Sequence, residues 1–221
     1  MKDIMKEDYR SRRSVDEKRE AIVAQYLDKY FYPTWTTSTE RNYDRATQIA
    51  GLDLTVIDFR GDKITIDEKA ATRWVGRNLP TFAHEISSIN INGCEYDGWL
   101  LDFNSSSDYL VEVWIDDAKD TSINDYTDIT DATIALIPKK NIWSYLEKKH
   151  IDYDKLKSIA KELRCMCCPY SYYNGLKVSC QIKQHEHAAN LLIPRDSIVN
   201  FICTYAVRIK GGKIMTLRNA L

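Results

Sequence analysis

Two acidic residues and one lysine in the N-terminal half of the chain are the side chains best suited to chemistry. Asp53 interrupts the otherwise apolar and β-branched run 52–57, and Asp67 and Lys69 end a run of alternating residues. Because residues two apart on a strand point to the same face, we expect Asp67 and Lys69 to lie side by side. Two carboxylates beside an ammonium suit a hard divalent cation, and the Glu68 carbonyl would add a ligand.

This group of side chains fits the hydrolysis of a phosphodiester bond. A divalent cation lowers the pKa of a bound water and stabilises charge on a phosphoryl oxygen. Lys69 would orient that water, help to deprotonate it, or stabilise the developing charge. The alternative is a solvated ion pair on an exposed strand. The position of Asp53 within an apolar strand favours the site over that alternative.

Polar residues just upstream extend the candidate site. Glu40, Asp44 and Gln48 are spaced four apart, which places them on one face of a predicted short helix over 40–50. Glu40 is a candidate outer metal ligand, and Gln48 is a candidate positioning residue. An ordinary polar helix surface explains the same spacing.

Residues downstream of Lys69 are candidates for contact with substrate. Arg73 and Arg77 would bind phosphates, and Trp74 would stack on an unpaired base. The alternative places Trp74 in the core and pairs the arginines with surface acids. Glu85, on the next predicted strand, is a further acid that would approach the metal.

Periodicity predicts the elements that position these residues. A helix over 14–32 ends at Pro33, and strands 52–59 and 63–69 form a hairpin that turns at 60–62. Further strands are predicted over 81–91, 96–103 and 109–115, which gives a mostly antiparallel meander preceded by helices.

The C-terminal part alternates helices and strands. The pattern predicts strands at 132–137, 176–182 and 190–193, helices at 139–149, 152–165 and 194–202, and a hairpin that turns at Gly211-Gly212. We therefore expect an α/β fold, with a mixed central sheet flanked by helices. Residues 1–138 would form its core, and 139–221 an α+β C-terminal extension packed on the same domain.

Composition excludes several classes of protein. Lys plus Arg number 31 and Asp plus Glu 32, so the chain is not polybasic, although a local basic groove is compatible with this balance. No apolar run approaches the ~20 residues of a membrane span, and the N-terminal segment lacks the apolar core of a secretory signal. We expect a cytoplasmic protein without a membrane partner. The sequence contains no P-loop, dinucleotide-binding or serine-hydrolase motif.

Six cysteines are expected to be mostly reduced in that compartment. Several of them lie near two histidines and offer enough ligands for structural zinc, although their spacing matches no zinc ribbon or finger. The residues concerned are Cys165, Cys167, Cys168, Cys180, His185 and His187. Reduced, partly buried cysteines explain this group at least as well, so zinc is not the favoured interpretation.

The order of Asp53, a hairpin and then Asp67-Glu68-Lys69 resembles the PD-(D/E)XK nuclease superfamily, which has the restriction-endonuclease-like fold. Asp53 matches the first acid of the motif, Asp67 the second acid and Lys69 the lysine. No proline precedes Asp53, a departure that is frequent in the superfamily. The stretch 40–100 resembles uncharacterised small bacterial and phage proteins with this core, and the resemblance covers 14–115.

The resemblance implies a restriction-endonuclease-like sheet and a Mg²⁺- or Mn²⁺-dependent nuclease acting on DNA. Asp53 and Asp67 would hold the metal, and Lys69 would assist the attacking water. By analogy with nucleases that pair two active sites, it also implies a homodimer, in the cytoplasm of a bacterium or a phage-infected cell. The alternative is a catalytically inactive nuclease-like fold that binds nucleic acid or protein, for example a phage-encoded inhibitor of a host system. A second rival is a small interaction protein organised by zinc around 165–187.

Overall fold

The computed structural model describes residues 2–90, 92–182 and 186–221, and it describes side chains from Val15 onward except that of Ile49. The protein is a mixed α/β structure with two β-sheets. Its helices are α1 (Lys2–Tyr30), α2 (Arg45–Ile49), α3 (Lys139–Glu147), α4 (Tyr153–Cys165) and α5 (Arg195–Ser197).

The first sheet has seven strands in the order β1-β2-β3-β6-β7-β11-β12, and the second has five in the order β5-β4-β10-β9-β8. Within the first sheet, β3 and β6 run parallel and the other described neighbours are antiparallel. The strands are β1 (Thr36–Arg41), β2 (Leu54–Asp58), β3 (Lys63–Ala70), β4 (Thr81–Ile89), β5 (Glu95–Asp97), β6 (Tyr109–Ala118), β7 (Ile129–Pro138), β8 (Tyr170–Tyr173), β9 (Leu176–Cys180), β10 (Ala189–Pro194), β11 (Tyr205–Lys210) and β12 (Lys213–Asn219).

Helix α1 covers one face of the first sheet. Its buried stripe, Val23, Tyr26 and Leu27, has the three- and four-residue spacing of one helix face. These side chains pack with Leu54, Ile66 and the other inward residues of the first sheet in one apolar core. Pro33 lies in the 3₁₀ turn that follows α1, as the sequence predicts.

The second sheet, together with α3 and α4, covers the opposite face of the first sheet. Leu110 and Trp114 of β6 pack there against Ile142 of α3 and Leu156 of α4. Strand β7 is therefore covered on both sides, which explains its continuous run of buried residues from Asp131 to Pro138. Strands β11 and β12 come from the segment predicted as an extension, yet they belong to the first sheet: β11 pairs with β7, and β12 pairs with β11.

Several sequence predictions are confirmed. The β2–β3 hairpin forms with its turn at 59–62, and α3 and α4 lie within three residues of their predicted bounds. The C-terminal hairpin turns at Gly211-Gly212, where both residues have positive φ, a conformation that glycine adopts at low cost.

The predicted meander is wrong. After β3 the chain leaves the first sheet and builds β4 and β5 in the second, and it returns as β6 parallel to β3. The strand predicted over 96–103 reduces to β5, because the chain turns after Gly98. Gly98 packs so closely on β4 that an added Cβ would lie 2.5 Å from the Glu85 carbonyl oxygen.

Two further predicted helices have different outcomes, and the one over 40–50 is wrong. The segment over 40–50 contains the end of β1 and only the short helix α2, because residues 36–41 pair with β2. The helix predicted over 194–202 is confirmed as a helical segment, in which α5 is followed directly by a π-helical turn, Ile198–Ile202. In the described part of the chain, no helix has the length and apolar composition needed to cross a membrane.

Candidate carboxylate–lysine site

Asp53, Asp67 and Lys69, called here the carboxylate–lysine cluster, meet on one face of the β2–β3 hairpin. Asp53 directly precedes β2, and its N–H donates to the Ile66 carbonyl at 2.9 Å. Leu54 pairs with Ile66, so the antiparallel register continues to Asp53 opposite Asp67. The sequence prediction that the hairpin brings Asp53 to Asp67 and Lys69 is confirmed.

Asp67 and Lys69 form a direct ion pair. The Lys69 Nζ lies 2.6 Å from Asp67 Oδ1, and the Asp67 side chain is 3% exposed while that of Lys69 is 30% exposed. Burial alone would lower the pKa of Lys69, but the neighbouring Asp67 carboxylate raises that pKa above its usual value. Lys69 is therefore an ammonium at neutral pH, which suits charge stabilisation better than proton abstraction.

Asp53 is the carboxylate of the cluster whose pKa is raised. Its Oδ2 accepts a hydrogen bond from the Glu68 backbone N–H at 2.7 Å. Burial, followed by repulsion from Asp67, nevertheless raises the pKa of Asp53 to about 7. One ammonium thus does not neutralise the two carboxylates, and a cation would stabilise their ionised forms.

Glu68 points to the other face of β3, as strand alternation requires. Its carboxylate accepts from the Tyr32 hydroxyl at 2.6 Å and from Arg41 Nη1 at 3.0 Å. Arg41 also binds Asp28 of α1 at 2.7 Å. The Glu68 side chain thus fastens α1 to the sheet, and the metal-ligand role predicted for this residue concerns its backbone carbonyl alone.

The upstream residues do not share a helix face. Glu40 lies on β1 opposite Thr55, Asp44 caps α2 by accepting from the Thr47 N–H, and Gln48 Nε2 donates to the Asn42 carbonyl at 2.8 Å. The basis for grouping Glu40 with Gln48 is therefore wrong. The register still places the exposed Glu40 on the sheet face of Asp53, because its partner Thr55 is two residues from Asp53.

The candidate substrate contacts lie in the turns after β3. Trp74 is 53% exposed, so the alternative that places it in the core is wrong. Arg73 pairs with Asp16 of α1, as the surface-pair alternative predicts, and Arg77 is exposed. Trp74 and Arg77 thus remain accessible to a ligand.

Glu85 does not approach the cluster. It lies on β4 in the second sheet, where it pairs with Asn190, and its carboxylate contacts the Ser88 hydroxyl. The prediction for Glu85 fails because β4 belongs to a different sheet from β3.

Sequence analysis missed Lys139, the first residue of α3. Its Nζ donates to Ser105 Oγ at 2.6 Å and to Ser107 Oγ at 2.8 Å. Burial lowers the pKa of Lys139, the Asp67 carboxylate opposes this, and the Lys69 ammonium lowers it further. The sequence showed only a serine-rich tip and a basic helix, with no signal that they meet at Asp67.

Glu20 of α1 is a second residue that the sequence analysis missed. Its side chain is exposed. Desolvation by the surrounding protein raises the pKa of Glu20, and the charge of Lys69 lowers it. The only sequence signal was a polar position on an otherwise amphipathic helix.

The cysteine-rich segment does not assemble a metal site in the described residues. Cys165 and Cys167 are exposed, Cys180 is buried, and Cys168 Sγ donates to the Tyr170 carbonyl at 3.1 Å. No group of three or more His, Cys, Asp or Glu side chains in residues 2–90, 92–182 and 186–221 is placed to hold a metal. His185, one of the predicted zinc ligands, lies outside the described residues.

The carboxylate–lysine cluster fits Mg²⁺ or Mn²⁺ rather than zinc. Asp53 and Asp67 offer carboxylate oxygens, and Mg²⁺ binds through one or two carboxylates while keeping several waters. Burial and then the neighbouring Asp67 carboxylate raise the pKa of Asp53, so the ionised pair would be stabilised by added positive charge. A divalent cation bound between Asp53 and Asp67 would supply such charge.

Comparisons with known proteins found no match for this chain. The chain matches no protein-family model, no curated protein and no solved structure. The resemblance to PD-(D/E)XK nucleases therefore remains a prediction from Asp53, Asp67 and Lys69.

Proposed function

We propose that this protein is a Mg²⁺- or Mn²⁺-dependent nuclease with a restriction-endonuclease-like core. The observation that carries the proposal is the pairing of Asp53 with Asp67 across the hairpin, with Lys69 Nζ 2.6 Å from Asp67 Oδ1. The mixed arrangement of β2, β3, β6 and β7, with α1 on one face and α3 and α4 on the other, agrees with that core.

Each member of the cluster has a distinct role in the proposal. Asp53 and Asp67 would hold the divalent cation, which would supply Lewis-acid chemistry and lower the pKa of a bound water. Lys69 keeps its positive charge and stabilises the negative charge that develops on the phosphoryl oxygens. Lys139, held by two serine hydroxyls, adds a second ammonium on the substrate side.

DNA is the proposed substrate, and we propose that the protein is a homodimer in the cytoplasm. These proposals follow from the resemblance to PD-(D/E)XK nucleases. The exposed Trp74 and Arg77 support contact with nucleic acid beside the cluster.

The test is cleavage of supercoiled plasmid, single-stranded DNA and single-stranded RNA, with Mg²⁺, Mn²⁺ or EDTA. Wild type is compared with Asp67→Ala, Lys69→Ala and the control Lys63→Ala, an exposed lysine at the other end of β3. We expect metal-dependent cleavage that Asp67→Ala and Lys69→Ala remove and Lys63→Ala leaves intact. Thermal melting of each variant shows whether it is folded.

Failure to cleave any of these substrates would reject the nuclease proposal. Retained cleavage in folded Lys69→Ala would also reject the role given to Lys69. The first outcome would favour the alternative, a nuclease-like fold that only binds nucleic acid or protein.

A further inference from the structure

A cavity of about 440 Å³ opens beside the carboxylate–lysine cluster. Its walls combine aromatic rings, among them Trp99, Phe103 and Trp143, with the polar groups of Ser105, Ser107 and Lys139. Pockets of this size that join apolar walls to a few convergent polar groups are typical of small-ligand sites.

The cavity neighbours the candidate site, although Asp53, Asp67 and Lys69 do not line it. A Cβ added to Gly51 would lie 2.5 Å from Ser105 Oγ and 3.5 Å from Asp67 Oδ2, so both atoms flank one point. On the other side, Lys69 Nζ lies 5.8 Å from the centre of the Trp99 ring. A ligand in the cavity would therefore lie next to the carboxylate–lysine cluster.

The outer wall presents an aromatic ring to solvent. Phe103 is 67% exposed, although its ring centre lies 5.4 Å from that of Trp143 and 5.7 Å from that of Tyr153. Trp143 and Tyr153 also pack on the core, which fixes their rings. Rigid aromatic faces at the rim of a cavity provide a surface on which a planar base can stack.

The lining of the cavity carries two lysines and two aspartates. Lys139 and Lys140 line the cavity at the start of α3. Asp102 and Asp108 also line it, and neutral donors orient them: Asp102 Oδ1 accepts from the Asn104 N–H at 2.9 Å and Asp108 Oδ2 from the Thr65 hydroxyl at 3.1 Å. The lysines are the groups of this lining that attract an anion. The lysines can therefore meet a phosphate while the aromatic rings meet the base attached to it.

We propose that this cavity holds an unpaired base of the nucleic-acid substrate, next to the phosphate that is cleaved. Single-stranded nucleic acid is then preferred over duplex, because bases stacked in a duplex must first be extruded to enter a pocket. The inference rests on the proposed function, since the carboxylate–lysine cluster identifies the neighbouring phosphate site.

The test is binding without hydrolysis. Fluorescence anisotropy in EDTA measures the Kd of a labelled 12-nucleotide DNA strand, of RNA of the same sequence, and of the matching DNA duplex. The variants are Phe103→Ala, which alters an exposed ring, and Trp143→Leu, which keeps an apolar side chain against the core. Tyr172→Ala is the matched control, because Tyr172 is 66% exposed on β8 and does not line the cavity.

Wild type is expected to bind the single strand at least ~10-fold more tightly than the duplex. Phe103→Ala and Trp143→Leu should each weaken single-strand binding ~10-fold, with less than ~2-fold change for the duplex and for Tyr172→Ala. Comparison of the Kd values for the DNA strand and the RNA strand shows whether the pocket prefers deoxyribonucleotides or ribonucleotides. Equal binding of strand and duplex, or single-strand binding unaffected by both cavity variants, would overturn the inference.

The two proposals fail separately in these experiments. Single-strand binding that depends on Phe103, without cleavage by the wild type, keeps the base pocket and rejects the nuclease. Cleavage that requires Lys69, with single-strand binding unchanged in the cavity variants, keeps the nuclease and rejects the pocket.

Discussion

Two neighbouring acids on β3, Asp67 and Glu68, point to opposite faces of the sheet and have opposite surroundings. Glu68 belongs to an arginine cluster with Tyr32, Arg41 and Asp28, in which it accepts from both the hydroxyl and the guanidinium. Asp67 faces Asp53, and the two carboxylates share one close ammonium, that of Lys69.

The two clusters differ in how completely their charges are paired. In the arginine cluster, a charge-assisted hydrogen-bond network joins α1, β1 and β3, so its removal should cost stability. In the carboxylate–lysine cluster, burial and Asp67 raise the pKa of Asp53 to about 7, so the pair is poorly neutralised. Charges that are poorly neutralised in the folded protein are typical of sites that await a ligand.

Lys69→Ala is the largest expected loss of function. Removal of an ammonium that stabilises the transition state should lower kcat at least ~100-fold, with little change in KM for the nucleic acid. Steady-state cleavage with Mg²⁺ measures both constants. A reduction confined to KM would show that Lys69 binds substrate and has no special role in the transition state.

Arg41→Ala tests whether the arginine cluster, on the opposite face of the sheet, contributes to stability. The Arg41 and Glu68 side chains are only 14% and 13% exposed, so the variant leaves a largely buried carboxylate without its cation. We expect the free energy of unfolding to fall by ~2–3 kcal/mol in urea titrations. Cleavage by the folded variant should stay within ~2-fold of wild type, because the arginine cluster lies on the other face of the sheet from Asp67.

The control for this prediction is Arg60→Ala. Arg60 is 63% exposed in its pair with Asp58, and the loss of such a surface pair should cost less than ~0.5 kcal/mol. If Arg41→Ala and Arg60→Ala were equally mild, the contrast between the two clusters would fail.

The pH dependence of stability should separate Asp53 from other acids. In the absence of metal the folded protein keeps a proton on Asp53 up to about pH 7, whereas the unfolded chain releases it near the usual carboxyl pKa of ~3.9. The folded state binds more protons between these values, so this carboxyl lowers the free energy of unfolding as pH rises from ~4 to ~7. The slope is at most ~1.4 kcal/mol per pH unit.

Asp53→Asn should remove that contribution. Urea unfolding in EDTA at pH 5, 6, 7 and 8 gives the difference between wild type and variant, which should move in favour of the variant as pH rises. Parallel profiles would show that Asp53 is already ionised in the folded protein.

Trp74→Ala should give the smallest change in stability. Because Trp74 is 53% exposed, the free energy of unfolding should change by less than ~0.5 kcal/mol, while affinity for single-stranded DNA falls ~5-fold. Thermal melting and anisotropy measure the two effects. A large decrease in the free energy of unfolding would show that Trp74 contributes to packing and would contradict this prediction.

Local patterns predicted the elements that bury one clear face. The β2–β3 hairpin follows from its β-branched alternating residues, and the same alternation placed Asp67 and Lys69 together. Strand β1 was missed because its residues Thr37–Glu40 are exposed, so its sequence has no apolar alternation and its conformation depends on pairing with β2.

The other parts of the fold and the site could not be predicted, because they depend on strand pairing between distant parts of the chain. Nothing in residues 81–89 shows that β4 joins the second sheet, which is why the prediction for Glu85 failed. Lys139 reaches Ser105 and the neighbourhood of Asp67 only because β6 returns parallel to β3 and β7 delivers α3 to that end of the sheet. Such partners depend on chain topology, which local periodicity does not encode.

Metal binding tests the central claim most directly. Calorimetric titration of metal-free protein with Mn²⁺ would compare wild type with Asp53→Asn, Asp67→Asn and the control Glu68→Gln, which keeps the backbone carbonyl. We expect Mn²⁺ to bind to wild type and to Glu68→Gln, more tightly at pH 8 than at pH 6, and not to bind to either aspartate variant. No binding to wild type, or equal binding to all four proteins, would contradict the assignment of Asp53 and Asp67 as the metal site.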